Sequence, residues 1–271
     1  MPELKNKVAV VTGAGSGIGE GIARVLARCG AVVVVNDVHE ANGKRVAAAL
    51  TERGHQCLFI KADVSSESQV REMVARTVSS FGSLDILVNN AGVNFVKPTL
   101  EMNEADWERV ISVDLKGTFL CSQAALREMA RQKGGAIINI ASVHCHATLP
   151  AAAPYAAAKG GVMAMTKSMA IEFAPLGIRI NVVNPGLTDT QIWSDIKRAA
   201  SDPKEAEAFW MAHIPIKRVQ QPEEVGNLVA FLASDEASYI TGASIMTDGG
   251  MTAMLIGESA QAVTRLDRTD R

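Results

Sequence analysis

Residues 8–19 read Val-Ala-Val-Val-Thr-Gly-Ala-Gly-Ser-Gly-Ile-Gly. The leading valines form a strand candidate with no polar alternation, so both of its faces are expected to be covered. A glycine-rich turn follows, and Gly17 opens a helical pattern that continues to Cys29. Glycine lets a backbone pass close to a phosphate, and a helix N-terminus adds oriented N–H donors. A glycine run alone is a weak signal, but here it lies between strand and helix, the setting a pyrophosphate-binding turn requires. Gly13, Ser16, Gly17, Ile18 and Gly19 are its candidate residues. The plain alternative is a tight strand-to-helix turn that holds no ligand.

Working outward, the same alternation repeats. Strands are expected over 7–12, 31–36, 56–61, 84–88, 135–141, 178–184 and 243–247, most of them continuously apolar. Helical patterns lie near 17–29, 40–53, 66–81, 104–132, 152–174 and 222–233. Ser66 with Gln69 resembles a capping box, and Pro222-Glu223-Glu224 is a sound helix start. The alternation predicts an α/β, single-domain, doubly wound Rossmann fold with a seven-stranded, mostly parallel sheet flanked by helices. No linker or internal repeat divides residues 1–271. The segment 188–220 breaks the rhythm, with two helical pieces, two of the Trp residues and no strand, and reads as a lid. The tail 258–271 is polar and charged.

Hydrophobic residues make up 48% of the chain and charged residues 21%, with a formal net charge of -2. That balance suits a globular protein and gives no basic field for nucleic acid. Cys29, Cys57, Cys121 and Cys145 are scattered, without CxxC or zinc spacing, so no metal site is expected. His144, Cys145 and His146 are adjacent, and three neighbours converge poorly on one ion. No apolar run reaches bilayer length, so no membrane partner is expected. Met1 to Lys7 is polar and leads directly into a strand, so the expected location is cytoplasmic.

The second strand ends at Asn36-Asp37. An acid there is placed to accept hydrogen bonds from the ribose hydroxyls of a dinucleotide and repels a 2′-phosphate. Val38 and His39 follow, with no basic residue directly after the strand or the glycine turn, so NAD is favoured over NADP. Asp37 as a simple helix cap is the alternative. Asp63-Val64, after the third strand, suits the adenine edge, or a helix entry.

The glycine turn, Asn89-Asn90-Ala91-Gly92, Tyr155-Ala-Ala-Ala-Lys159 with Ser142 upstream, and Asn184-Pro185-Gly186 followed by Thr190 together resemble the short-chain dehydrogenase/reductases. The resemblance spans roughly residues 5–252. It implies that Gly13, Ser16 and Ile18 line the pyrophosphate turn, and that Asn90 and Ala91 close over the adenosine-side ribose. Pro185, Leu187 and Thr190 would hold the nicotinamide carboxamide. It further implies that Lys159 anchors the nicotinamide ribose. Homotetramers, built partly on helices 104–132 and 152–174, are common in the family.

The chemistry of the triad has its own physical case. An alcohol must lose its proton as hydride leaves, and a phenol with pKa near ~10 is too weak a base at neutral pH. Tyr155 and Lys159 stand at i and i+4 on one helix, so they share a face. A nearby ammonium favours phenolate. Ser142 can donate a hydrogen bond to the substrate oxygen as negative charge develops. One position departs from the family: Asp114 stands where Asn is usual, a residue that joins a proton relay through its main-chain carbonyl and a water. The expectation is that the carbonyl preserves this relay and that Asp114→Asn is nearly silent.

For the substrate, Ser142-Val143-His144 and Tyr155–Gly161 are similar to the NAD-dependent sugar 1-dehydrogenase branch. His144 and Asn94 could hydrogen-bond sugar hydroxyls; the alternative has His144 in a loop and His146 facing solvent. Trp193, Phe209, Trp210 and Met211 read as lid packing. Lys197, Arg198 and Arg218 could meet an anionic substituent but read more simply as surface charge. The leading expectation is NAD-linked oxidation of a sugar or polyol, with a 3-oxoacyl or ketone reductase and a non-catalytic dinucleotide sensor as alternatives.

Overall fold

The computed structural model describes residues 2–255, so the tail 258–271 lies outside the described residues. Strands β1 (Val8–Val11), β2 (Val32–Asp37), β3 (Cys57–Lys61), β4 (Ile86–Asn89), β5 (Gly135–Ile140), β6 (Ile178–Pro185) and β7 (Ser244–Thr247) form one sheet in the order β3-β2-β1-β4-β5-β6-β7. Every neighbouring pair is parallel. The chain therefore starts in the middle of the sheet, winds outward to β3 and then crosses to β4, so the strand order reverses between β1 and β4. Parallel pairing demands crossovers, and these are α1 (Gly17–Arg28), α2 (Glu40–Glu52), α3 (Glu67–Phe81), α4 (Glu104–Val110), α5 (Gly117–Gln132), α6 (Ala153–Phe173), and, after β6, α7 (Gln191–Ala199), α8 (Pro203–Ala212) and α9 (Pro222–Ala233).

The continuous apolar strands have the expected cause. Successive residues point to opposite faces, and both faces are buried. Ala9, Val11, Val33, Val35, Ile86, Val88 and Ile138 face α1, α2 and α9, whereas Val10, Val34, Leu87, Ile137 and Ile180 face α3, α5 and α6. Each fully buried Val, Leu or Ile contributes roughly 1.5–3 kcal/mol relative to exposure. The α1–α9 contact is backbone-close, because a Cβ on Gly226 would lie 2.7 Å from Val25.

Two expectations needed correction. The helix expected over 104–132 is interrupted by a π turn at Ile111–Lys116, which turns Asp114 into the interior. The Ser66–Gln69 capping box does not form. Gln69 instead accepts the Asp63 amide N–H through Oε1 at 2.9 Å, and Ser66 makes no side-chain cap. Segment 188–220 holds no strand, as read, and an isolated parallel bridge between Thr188 and Gln220 joins its two ends. At α9 the helix start is as read, with Gln221 donating its N–H to Glu224 Oε2 at 2.8 Å.

Candidate active site

A cavity of about 450 Å³ runs along the C-terminal ends of β1 to β5. Open parallel sheets bind ligands there, beside the point where strand order reverses. At the β1 end its wall is Gly13, Ser16, Gly17 and Ile18. Gly13 has φ +60°, and a Cβ there would come within 2.8 Å of Ala91 Cα, so only glycine fits this turn. Ser16 precedes α1 without capping it, which leaves the first-turn N–H groups without a side-chain acceptor. Asn90 binds the turn to β4: its Nδ2 donates to the carbonyl oxygens of Thr12 and Gly13 at 3.0 and 3.1 Å.

Asp37, Val38, Asp63 and Val64 form the next stretch of wall. Asp37 is buried, and its carboxylate accepts the Gly15 N–H at 2.9 Å and the His39 N–H at 2.8 Å. A carboxylate has about four acceptor sites, so these bonds orient the group without exhausting it. Asp63 Oδ1 accepts from both Ser65 N–H and Ser65 Oγ–H, at 2.9 and 2.7 Å. Sequence reading missed one neighbour. Arg45, on α2, donates to the Gly15 carbonyl oxygen at 2.9 Å. Its charge is matched by Glu20, at 2.6 Å. Burial pushes the Glu20 carboxyl up, but Arg45 and Arg24 outweigh it and hold it below its ordinary value.

At the β4–β5 end the wall is Asn90, Ala91, Gly92, Asn94, Asp114, Tyr155 and Lys159, while Thr190 lies against Gly17 of the turn. Lys159 is 4% exposed, and its Nζ donates to the Ile140 carbonyl oxygen at 3.2 Å and stands 5.5 Å from the Tyr155 ring centre. Asp114, fully buried, lies 3.2 Å from Lys159 Nζ through Oδ2 and accepts the Val93 N–H at 2.8 Å through Oδ1. Burial pushes the Lys159 ammonium down, yet Asp114 and Tyr155 outweigh it and hold it above its ordinary value. The main-chain carbonyl of Asp114 accepts the Thr118 hydroxyl at 2.8 Å. Beside this carbonyl, the Asp114 side chain itself reaches Lys159, a contact that sequence reading did not anticipate.

Ser142 is buried beside this end, and its Oγ accepts the His144 N–H at 3.3 Å. His144 meets the Tyr155 ring edge-on at 5.2 Å, and its Nδ1 lies 2.8 Å from Thr148 Oγ1. Burial holds the His144 imidazolium below its ordinary value. His146 is exposed. Ser142 and His144 border the cavity rather than line it, and Gly19, Pro185, Gly186 and Leu187 also lie outside its wall. Gly19 is pressed against the Gly13 carbonyl, Gly186 against Asp248, and Leu187 lines a separate hollow with Ile214 and Met246. Asn36, His39, Val93, Gln191 and Ile192 line the cavity without having been singled out; each adjoins a residue that was.

The lid cations are engaged elsewhere. Arg198 pairs with Asp195 at 2.8 Å, Arg218 grips Glu224 at 2.6 and 2.7 Å, and Lys197 stands 5.0 Å over Trp193. Of the aromatic residues read as lid packing, Trp193 is buried but Phe209 is 59% exposed. Among the described residues there is no group of three or more His, Cys, Asp or Glu side chains that could hold a metal ion, and no helix long and apolar enough to cross a membrane.

A family model described as enoyl-(acyl carrier protein) reductase matches residues 13–252. The cis-4-hydroxycyclohexanecarboxylate dehydrogenase of Sinomonas cyclohexanicum is 45% identical over 249 residues, covering 92% of this chain and 97% of the relative. A 3-oxoacyl-[acyl-carrier-protein] reductase of Staphylococcus aureus is 44% identical over 249 residues, covering 90% of this chain and 98% of the relative. Among solved structures, a gluconate 5-dehydrogenase from Burkholderia cenocepacia, in complex with NADP and tartrate, superposes with a TM-score of 0.88. It is 33% identical and covers 93% of this chain and 98% of that one.

Proposed function

This chain belongs to the short-chain dehydrogenase/reductase family of oxidoreductases, whose members bind a nicotinamide cofactor, and from that premise we propose that it oxidises an alcohol or hemiacetal carbon of a sugar or polyol with NAD. The observation that carries the reading is one continuous cavity, with Asp37 toward one end and Tyr155 and Lys159 at the other. The walls fit a dinucleotide. Backbone alone forms the close approach at Gly13, the α1 N-terminus has no side-chain cap, and Asp37 keeps acceptor capacity free for two ribose hydroxyls. Gly13, Ser16, Gly17, Ile18, Asp37, Val38, Asp63, Val64, Asn90, Ala91, Gly92 and Thr190 would hold it, with Pro185, Gly186 and Leu187 leading the chain toward Thr190.

When bound, the dinucleotide supplies the hydride acceptor. The Tyr155 phenol, as phenolate, takes the substrate hydroxyl proton, and the Lys159 ammonium stabilises that phenolate. Ser142 donates a hydrogen bond to the same substrate oxygen. His144, with Nδ1 facing Thr148, keeps Nε2 for a second hydroxyl of a polyol, and the Asn94 amide in the cavity wall can meet another. The cavity wall carries one lysine among the described residues, Lys159, and its charge is matched by Asp114, which favours a neutral substrate over an anionic one.

The S. aureus relative raises the reductase reading, and the NADP in the B. cenocepacia structure raises the phosphorylated cofactor. A 2′-phosphate brought beside Asp37 would meet like charge, and Arg45, the nearby cation, is already paired with Glu20. Initial rates with NAD and NADP across a panel of aldoses, polyols, cyclic alcohols and hydroxy acids test the proposal. It expects NAD preferred by at least about tenfold. Preference for NADP overturns the reading of Asp37, and no NADH formation on any alcohol leaves a non-catalytic dinucleotide sensor. A homotetramer is part of the proposal: Phe119 on α5 and Ile171 on α6 are exposed apolar residues that subunit contact would cover, and light scattering measures the assembly.

A further inference from the structure

Asp114 meets a donor with one oxygen and a charge with the other. Oδ1 accepts the Val93 N–H at 2.8 Å, while Oδ2 forms an ion pair with Lys159 Nζ at 3.2 Å. An amide in the same place has one acceptor and one donor. It can accept from Val93 and turn an NH₂ toward the ammonium, or face the ammonium with its oxygen and set donor against donor at Val93. Only a carboxylate serves both. The space around the pair is also built for it: a Cβ on Gly92 would lie 2.8 Å from Asp114 Oδ2 and 3.2 Å from Lys159 Nζ. The π turn at Ile111–Lys116 delivers the carboxylate, and its own carbonyl is tied down by Thr118.

We propose that Asp114 is a positioning residue: its carboxylate fixes Lys159 against the loop after β4 and offsets the ammonium's pull on the Tyr155 phenol, so that the proton-accepting form of the pair develops at higher pH than an amide in that place would allow. The inference rests on the reading of Tyr155 as proton acceptor. The direction follows from charge alone. The ammonium favours phenolate; a negative charge 3.2 Å from it, in a site shielded from solvent, cancels part of that field. The other groups facing the pair are few. Cys145, on the turn after β5, faces Lys159, and burial first of all pushes its thiol up. His144 touches the Tyr155 ring, and burial keeps it neutral.

The chain makes a direct test possible, because it has only two tyrosines, Tyr155 and Tyr239. In a Tyr239→Phe background, phenolate absorbance near ~295 nm follows Tyr155 alone, without substrate or turnover. Asp114→Asn in that background is expected to move the titration midpoint down by about one pH unit. The rising limb of kcat/KM for alcohol oxidation should move the same way. Asp114→Ser removes the same charge with a smaller side chain and should shift the midpoint in the same direction. Midpoints that coincide with the parent in both variants overturn the proposal. A shifted titration with no catalysis on any alcohol overturns the functional reading instead and leaves the charge coupling standing.

Discussion

The cavity along the strand ends and the hollow beneath the lid are of similar size and opposite character. The first encloses about 450 Å³ and the second about 560 Å³. In the first, the charged groups at the catalytic end are buried and each is held by more than one partner: Lys159 by Asp114 and Ile140, Asp114 by Val93 and Lys159. In the second, between α7, α8 and α9, the charges are of mixed sign and none is buried: Glu207 and Arg218 are exposed, Lys197 and Glu224 half-buried. On the proposed reading, volume does not mark the reactive site. Burial of charge, at a position that several elements determine jointly, does.

The comparison breaks most sharply at Tyr155. Tyr155→Phe should lower kcat by at least about a hundredfold while leaving NADH binding, read by fluorescence titration, within a factor of about two. Equal turnover would move the proton acceptor elsewhere. Next comes the glycine turn. Gly13→Ala puts a Cβ against Ala91 at a φ of +60°, a conformation costing on the order of 1–3 kcal/mol for a side-chain residue. NADH affinity should fall by about tenfold or more, with a lower Tm. Asp37→Ser removes the acceptor that holds Gly15 and His39 N–H, and with it the like charge that opposes a 2′-phosphate. The NAD-to-NADP ratio of kcat/KM should drop by about tenfold, a smaller change than at Gly13 in absolute NAD affinity because the backbone turn survives.

The two regions also differ in how much of them was legible. All seven strands lay within two residues of the spans read from continuous valine- and isoleucine-rich runs, because burial on both faces leaves no other pattern for a parallel strand. Asp37, Asp63, Asn90, Tyr155 and Lys159, each read from its place at the end of a strand or one helical turn from its partner, all line one cavity. The π turn was not: it keeps the apolar spacing of a helix across Ile111–Lys116, so a single widened turn leaves no trace in periodicity, although it alone decides that Asp114 faces Lys159. Arg45 was missed for a related reason. Its reach to Gly15 depends on how α2 lies across β2, a tertiary fact with no local signal. At Ser66, a plausible cap lost Gln69 to the Asp63 amide, a competitor lying before the helix.

The smallest effect belongs to the lid. Arg218 grips Glu224 through two nitrogens, and the pair holds the Glu224 carboxyl below its ordinary value, so the contact resembles an anchor between the lid and α9. Its setting argues otherwise. Both side chains are exposed, 53% and 37%, and water and salt screen such a pair to little net effect. The lid is also fastened without it: Asp189 N–H donates to the Gln220 carbonyl at 2.8 Å, Gln220 N–H to the Leu187 carbonyl at 3.0 Å, and Trp193 is buried at 3% exposure. Arg218→Ala should therefore change Tm by less than about 2 °C and kcat/KM by less than about twofold. A loss of tenfold or more confined to KM for the alcohol, with Tm unchanged, would mean that the guanidinium leaves Glu224 to meet substrate. The hollow under the lid would then be part of the reactive site, and the division drawn between the two regions would fail at that residue.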